Sequence, residues 1–439
     1  MKGLIRIVNL QKCSPEQREQ LLKRSELDVA SVMPSVRSIV ADVRKRGDEA
    51  LIDYNKRFDG VKLSREQIRV SNREIRAAYA KVDVKTVQAI KRAAGTIKKF
   101  HQKQLPSEWM VELQPGVKAG QLVRPLKRVG VYVPGGLARY PSSLLMAAVP
   151  ARVAGVEQVI VCTPPRKDGR IDPAILVAAD VSGVDALFKV GGAQAIAAMA
   201  YGTQTVPKVD KIVGPGNVYV VAAKHVVSAD VDIDFAAGPS EVLILADSSA
   251  DSAYVVADLL AQAEHDPAAA AVLVTTSEGL ALEVRGLIQD MLRDNPRKGI
   301  VRKSLGRYGR LVVARDLTEA IGFMNDYAPE HLQLMIKRPE RVINRVKNAG
   351  AIFIGPYAPV AAGDLAVGPS HILPTGGVAR RRSGLSALDF VRLPSVQALT
   401  KQGLNRIAWI VEKLAEVEGL PGHARSIRER SRNSKRRRT

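Results

Sequence analysis

The segment Ala328-Pro329-Glu330-His331-Leu332 sets a carboxylate beside an imidazole, just after a proline that blocks a smooth helical run-in. Held on a loop, such a pair offers two proton-transfer groups to one site, which suits chemistry that moves protons twice. Taken alone, the same residues also fit a surface loop with two polar side chains. The chain has six histidines. His101 in a basic helical stretch and His225 on an ordinary helix read as surface residues. Besides His331, the others each lie near a second donor. Gln262 and His265 are spaced i, i+3, so they share a helix face at its end. Asp364 and His371 flank Gly363, Gly368 and Pro369 on a loop. His423 follows the Gly419-Leu420-Pro421-Gly422 break, with Glu418 before it.

Imidazole nitrogen and carboxylate oxygen suit zinc, and an amide oxygen is a weaker ligand. The two cysteines, Cys13 and Cys162, exclude a disulfide framework and a cysteine-rich zinc module. Cys162 ends the apolar run Val159-Ile160-Val161 and reads as a small buried residue, not a nucleophile. On residues alone, a joint His/Asp/Gln metal site and a set of separate structural pairs both stay open. The turns Gly191-Gly192-Ala193-Gln194 and Gly214-Pro215-Gly216-Asn217 each close a strand and open a helix. Their N–H groups suit a phosphate, and the two together suit a cofactor crevice. The G-x-G-x-x-G fingerprint is absent.

The elements that must carry these residues follow from periodicity. Residues 14–104 read as helical, with capping boxes at Ser14/Gln17 and Ser71/Glu74. Residues 111–133 read as hairpin strands broken at Pro115-Gly116 and Ala119-Gly120. From about 129, apolar strands at 129–133, 159–162, 186–190 and 211–213 alternate with helices at 142–154, 173–181, 193–200 and 218–227. A second series has strands at 242–246, 271–275, 311–313, 332–336 and 351–354. Its helices end near 264 and 292 or span 316–325 and 339–347. This alternation predicts two α/β units with parallel sheets covered on both faces. From about Ser386 the chain reads as an amphipathic helical segment with a basic tail.

A chain of 439 residues accommodates two to four domains. No apolar run approaches the roughly 18 residues of a membrane span, and the N-terminus lacks a signal-peptide core, so a soluble intracellular protein is expected. The formal net charge is +22, yet basic residues cluster only at 425–438 and aromatics make up 4%. Stacking platforms for bases are scarce. The reading is a solvated basic surface, with no nucleic-acid partner expected.

Several further segments join those above. They include Val131-Tyr132-Val133-Pro134-Gly135-Gly136, Tyr140-Pro141-Ser142-Ser143, Val209-Asp210-Lys211-Ile212-Val213, Ala237-Gly238-Pro239-Ser240-Glu241 and His371-Ile372-Leu373-Pro374-Thr375. Together, in order and through nearly the whole chain, they resemble the histidinol dehydrogenase family. Leu365 and Gly368-Pro369-Ser370 depart from that family's commoner wording, and neither removes a proposed ligand. The resemblance implies two Rossmann-like doubly wound parallel-sheet domains, a helical N-terminal region and a small helical C-terminal domain. The implied bounds are 1–25 for the N-terminal segment, 26–131 plus 240–385 for the first α/β domain, 132–239 for the second, and 386–439 for the C-terminal domain.

It further implies a cytoplasmic enzyme oxidising L-histidinol through L-histidinal to L-histidine, the last steps of histidine biosynthesis, with reduction of two NAD. By position, Gln262, His265, Asp364 and His423 would bind one zinc per chain. Glu330 and His331 would be the acid/base pair. Ser240, His371 and Glu418 would contact substrate, as would His331 and the zinc ligands. Tyr132, Gln194 and Asn217 would lie along NAD. Within the pair, His331 would take the alcohol proton, its unperturbed pKa being about 6.5, and Glu330 would activate water for the second step. A homodimer is implied, with the C-terminal segment of one subunit completing the other's site. The alternative is a paralogue with the same zinc and NAD machinery acting on another small polar alcohol such as sulfopropanediol.

Overall fold

The computed structural model describes residues 4–25, 27–135, 139–235 and 238–431. Met1-Lys2-Gly3, Gly136 of the Pro134-Gly135-Gly136 turn, Ala237 and the 432–439 end of the basic tail lie outside them. The chain divides into two units, Met1–Gln104 with Leu126–Phe390, and Leu105–Pro125 with Val391–Thr439.

The first unit holds two parallel sheets. In one, six strands run in the order Arg6–Asn9, Arg310–Val313, Ala270–Thr275, Glu241–Ala246, His331–Met335 and Ala351–Ile354. Every residue of Glu241–Ala246 is buried, as a strand covered on both faces requires. Val242, Ile244 and Ala246 pack with the apolar stripes of Ser252–Ala263, Glu278–Leu292 and Lys298–Tyr308. Leu243 and Leu245 face the other way, onto Leu317–Tyr327. Alternation at period two thus feeds two separate cores.

The other sheet has five strands, in the order Ala186–Lys189, Gln158–Thr163, Arg128–Tyr132, Lys211–Val213 and Asp232–Ile233. Helices Gly192–Tyr201 and Val218–Val227 cover one face, with Val29–Arg46 packed on both. Pro141–Val153 lies against the strands as well. Cys162 is buried in this sheet, as expected.

The second unit pairs Trp109–Gln114, Val117–Gln121 and Ser395–Leu399 in an antiparallel sheet, followed by helices Lys401–Val417 and Pro421–Ser431. The region after Ser386 is therefore not helical throughout. Ser395–Leu399 becomes a strand because the hairpin's free edge, far earlier in sequence, offers it a ladder.

Three other expectations change. Residues 339–347 form two short 3₁₀ turns instead of a helix, since only Val342 there is buried and no apolar stripe rewards regular winding. Lys298–Tyr308 is a helix the periodicity reading passed over, held by Val301, Ser304 and Leu305. His101 is buried, not at the surface. It ends the stripe Ile90, Ala94, Ile97, and its Nδ1 lies 2.7 Å from Gln104 Oε1. His225 is exposed, as expected.

One buried charge pair braces the second sheet. Lys224 Nζ lies 2.6 Å from Asp234 Oδ1 and donates to the Gly214 carbonyl at 2.6 Å. The other Asp234 oxygen accepts the Gly214 N–H at 2.7 Å. Gly214 needs this support. Its φ is +114°, and a Cβ there would overlap the Tyr132 carbonyl oxygen. Replacing Lys224 with Met leaves Asp234 buried and alone, so urea titration should show a loss of about 3–5 kcal/mol. Adding Asp234→Leu should recover most of it. A Lys224→Met variant as stable as wild type would refute the brace.

Candidate active site

Glu330 and His331 stand where a helix is forced directly into a strand. Leu317–Tyr327 ends at Ala328, whose φ of +49° is the one positive value outside glycine among the described residues. That left-handed residue and Pro329 turn the chain so that His331 opens the strand His331–Met335. The pair is thus not on an exposed loop. Both side chains are buried, each with about 4% of its surface exposed. Gly350 permits the approach: its N–H donates to the Pro329 carbonyl at 2.9 Å, and a Cβ would sit 2.6 Å from Glu330 O.

His331 Nδ1 lies 3.0 Å from the Glu241 carbonyl and 3.4 Å from Glu330 Oε2. Donation from Nδ1 to that carbonyl leaves Nε2 as the free lone-pair nitrogen of the neutral ring. Nε2 is 3.5 Å from Asp364 Oδ1, the outer limit of a hydrogen bond, and it has no other partner. Burial disfavours the imidazolium, but Glu330 and Asp364 outweigh it and hold the His331 pKa well above its ordinary value. The unperturbed value that recommended His331 as a base therefore does not apply to this ring beside two carboxylates. Asp364 sits in the turn Gly363–Val367; burial favours its neutral form, yet His331, His371 and His265 hold its carboxyl below the usual range. The Asp364 carbonyl accepts from His371 Nδ1 at 2.8 Å, and His371 Nε2 lies 3.1 Å from Ser143 Oγ. Burial lowers the His371 pKa.

Gln262 and His265 end the helix Ser252–Ala263 and the turn after it. The Gln262 amide is buried, and its Nε2 has no hydrogen-bond partner. His265 is exposed. Ser240 is half-buried immediately before the strand Glu241–Ala246. Glu418 caps Lys401–Val417 and His423 lies on Pro421–Ser431; both are exposed and belong to the second unit. Among the described residues, no three His, Cys, Asp or Glu side chains converge to hold a metal ion. The donors nevertheless fit one in kind: carboxylate oxygen, imidazole nitrogen and the oxygen of a buried amide are ligands of the zinc type.

The second sheet provides a cavity of about 1260 Å³ at the carboxyl ends of its strands. Tyr132, Gln194 and Asn217 all line it, with Gly192 between them. Strand order reverses between Arg128–Tyr132 and Lys211–Val213, the place where open α/β sheets bind ligands. Tyr132 Oη accepts from Gly192 N at 3.1 Å, and burial pushes its pKa to about 12. Asn217 Oδ1 caps the helix Val218–Val227 through the N–H groups of Tyr219 and Val220. The Ser143–His371 contact joins this sheet's covering helix to the Glu330–His331 cluster.

Against this geometry the similarities to known proteins can be placed. Residues 22–431 match the model of a family described as histidinol dehydrogenase. The chain belongs to the histidinol dehydrogenase family. It is 52% identical over 414 residues to the histidinol dehydrogenase of Methanothermobacter thermautotrophicus, covering 94% of this chain and 97% of that protein. Identity to the Methanocaldococcus jannaschii histidinol dehydrogenase is 47%, covering 98% and 99% of the two chains. The crystal structure of histidinol dehydrogenase from Elizabethkingia anophelis superposes with a TM-score of 0.94 at 38% identity, covering 98% of each chain. The protein is thus an enzyme, a dehydrogenase of this family with its α/β fold. No described helix is long and apolar enough to cross a membrane.

Sequence reasoning passed over several residues that surround this geometry. Glu241 contacts Glu330 and His331, and Arg24 contacts Glu241 and the Tyr327 carbonyl, all from elements remote in sequence. Only Glu241 carried a signal, as the neighbour of Ser240. Tyr54, Phe58 and Asp59 also line the cavity, Phe58 and Asp59 on a wide helical turn at Asn55–Asp59 and Tyr54 at the end of the helix before it. Tyr54 and Phe58 stack at 5.5 Å. Burial pushes the Asp59 carboxyl up to about 6, and its Oδ2 has no partner. The folded protein therefore binds that proton more tightly than the unfolded chain, whose Asp titrates at about 3.9. Stability should fall as pH rises between those values, and Asp59→Asn should abolish that part of the fall. Melts of the unliganded protein across this range would show it; parallel curves for wild type and variant would contradict it.

Proposed function

We propose that this enzyme oxidises L-histidinol to L-histidine through L-histidinal, reducing two NAD, as the last steps of histidine biosynthesis in the cytoplasm. The observation that carries the reading is the Glu330–His331–Asp364–His371 cluster, with Glu330 and His331 buried and His371 touching Ser143 on a helix that covers the other sheet, in a chain of this family. In this reading NAD lies in the crevice along Tyr132, Gln194 and Asn217 and accepts hydride in each step. Gln262, His265, Asp364 and His423 hold one zinc, which as a Lewis acid would fix the substrate's nitrogen donors. Ser240, His371 and Glu418 complete the substrate site.

The chain's own groups then divide the proton work. In the first step the carbinol carbon loses hydride to NAD while its hydroxyl proton passes to His331 Nε2, which can accept it only in the ring's neutral form, so the raised His331 pKa should make alcohol oxidation favour high pH. In the second, Glu330 takes a proton from water as it adds to the aldehyde carbon, and the hydrate then loses hydride to give the carboxylate. Burial of both groups excludes competing water and strengthens their effect.

Two NADH should form per histidinol consumed, and chelation should lower the rate. A ratio of one in the wild type would overturn the two-step reading. His331→Asn should slow alcohol oxidation by about 10²–10⁴-fold, the usual range for losing a general base. Glu330→Gln should chiefly slow oxidation of supplied histidinal. Equal losses in both steps for both variants would remove the division of labour.

His423 and Glu418 reach a site most simply as part of a homodimer. The second unit presents Trp109, Met110, Val111 and Leu113 on one strand, and Trp409, Leu414 and Val417 on one helix, all exposed. Apolar surface of this kind marks a contact face. Sedimentation should give twice the chain mass, and Trp409→Asp should shift it toward one. A monomeric, fully active wild type would defeat this arrangement.

A further inference from the structure

Behind Glu330 lies a second buried carboxylate with no part in the chemistry above. Glu241 opens the strand beside His331–Met335, in register so that Val242 faces His331. One residue earlier the ladder continues through side chains. Glu241 N donates to Glu330 Oε2 at 2.7 Å, and Glu330 N donates to Glu241 Oε1 at 3.2 Å. The Glu241 carbonyl meanwhile holds His331 Nδ1. Each glutamate thus clamps the other, and Glu330 Oε1 is the oxygen this exchange leaves to chemistry.

The clamp is anchored by one cation. Arg24, in the segment after Pro15–Leu22, reaches Glu241 Oε1 through Nη1 at 2.6 Å. Its other terminal nitrogen donates to the Tyr327 carbonyl. Its guanidinium lies 3.8 Å above the buried Tyr327 ring. The guanidinium side chain is 10% exposed and the Glu241 side chain 1%. Burial drives the Glu241 carboxyl up to about 7, and Arg24 pulls against that rise, favouring the charged form. Arg24 therefore grips the catalytic turn at two places: at Tyr327 before the left-handed Ala328, and at the glutamate that holds Glu330.

We propose that Arg24, acting through Glu241, is a positioning residue that aims the Glu330 carboxylate at the water of the aldehyde step. The inference rests on the assignment of Glu330 as the group that activates that water. Lysine cannot reproduce the fork that spans Glu241 and the Tyr327 carbonyl, but it keeps the charge.

The test compares the two half-reactions in the full-length enzyme, with histidinol or histidinal supplied and NAD binding followed by fluorescence. Arg24→Met should lower kcat for histidinal oxidation about 100-fold, the scale of a misplacement near 1 Å. KM for histidinal and NAD affinity should stay within about twofold, and NADH per histidinol should fall from two toward one. Arg24→Lys, or millimolar guanidinium added to Arg24→Met, should restore part of the loss. A folded Arg24→Met enzyme with equal losses in both half-reactions, or with none, overturns the proposal. Should Arg24→Met not fold, Glu241→Gln keeps the shape and removes the charge; it should show the same selective loss, and a wild-type ratio of the half-reactions would overturn the proposal. If the wild type itself fails to oxidise histidinal, the assignment of function fails instead.

Discussion

A carboxylate taken out of water keeps its charge only where cations or N–H groups face it. Glu241 and Glu330 are both buried and lie against one another, an arrangement that repels unless something lies between or behind them. Here Arg24 lies behind Glu241, and His331 lies between Glu330 and Asp364. Removing any one charge changes what the others can hold. The surrounding structure follows from keeping this set together: a left-handed alanine to deliver the pair, a glycine to let the neighbouring strand approach, and an N-terminal segment carrying the arginine.

The two sheets use opposite ends for their business. In the five-stranded sheet the large cavity opens at the carboxyl ends of the strands, where the order reverses, as is general for open α/β folds. In the six-stranded sheet the order also reverses, between Glu241–Ala246 and His331–Met335, yet Glu241 and His331 sit at the amino ends. The switch-point rule alone would have pointed to the other end of that sheet. A helix covering one sheet carries Ser143 to His371, whose Nδ1 donates to the Asp364 carbonyl beside the other. Building the large crevice and the carboxylate–imidazole cluster on separate sheets lets each be packed to its own requirement.

Much of this was legible in the residues. The apolar runs at 186–190, 211–213 and 242–246 read correctly as strands, because a strand buried on both faces must be apolar throughout. The capping boxes at Ser14 and Ser71 are present as read, because a cap is satisfied within four residues. The strand Ser395–Leu399 was not legible, since its partner Val117–Gln121 is remote and the local pattern resembles a helix lead-in. His101 was misplaced because its basic neighbours suggested solvent while its stripe pointed inward.

Sequence by itself determined which chemistry was available: a Glu–His pair, histidines beside carboxylate and amide donors, glycine turns closing parallel strands, and ordered motifs that mark the family. Those are properties of residue type and short spacing, which the chain carries into any conformation. Tertiary structure alone decided that the pair is buried and begins a strand, that two carboxylates raise the His331 pKa, and that Arg24 stands behind Glu241. Each of these depends on desolvation or on contacts between parts of the chain that the fold brings together, and neither quantity exists until the chain has folded.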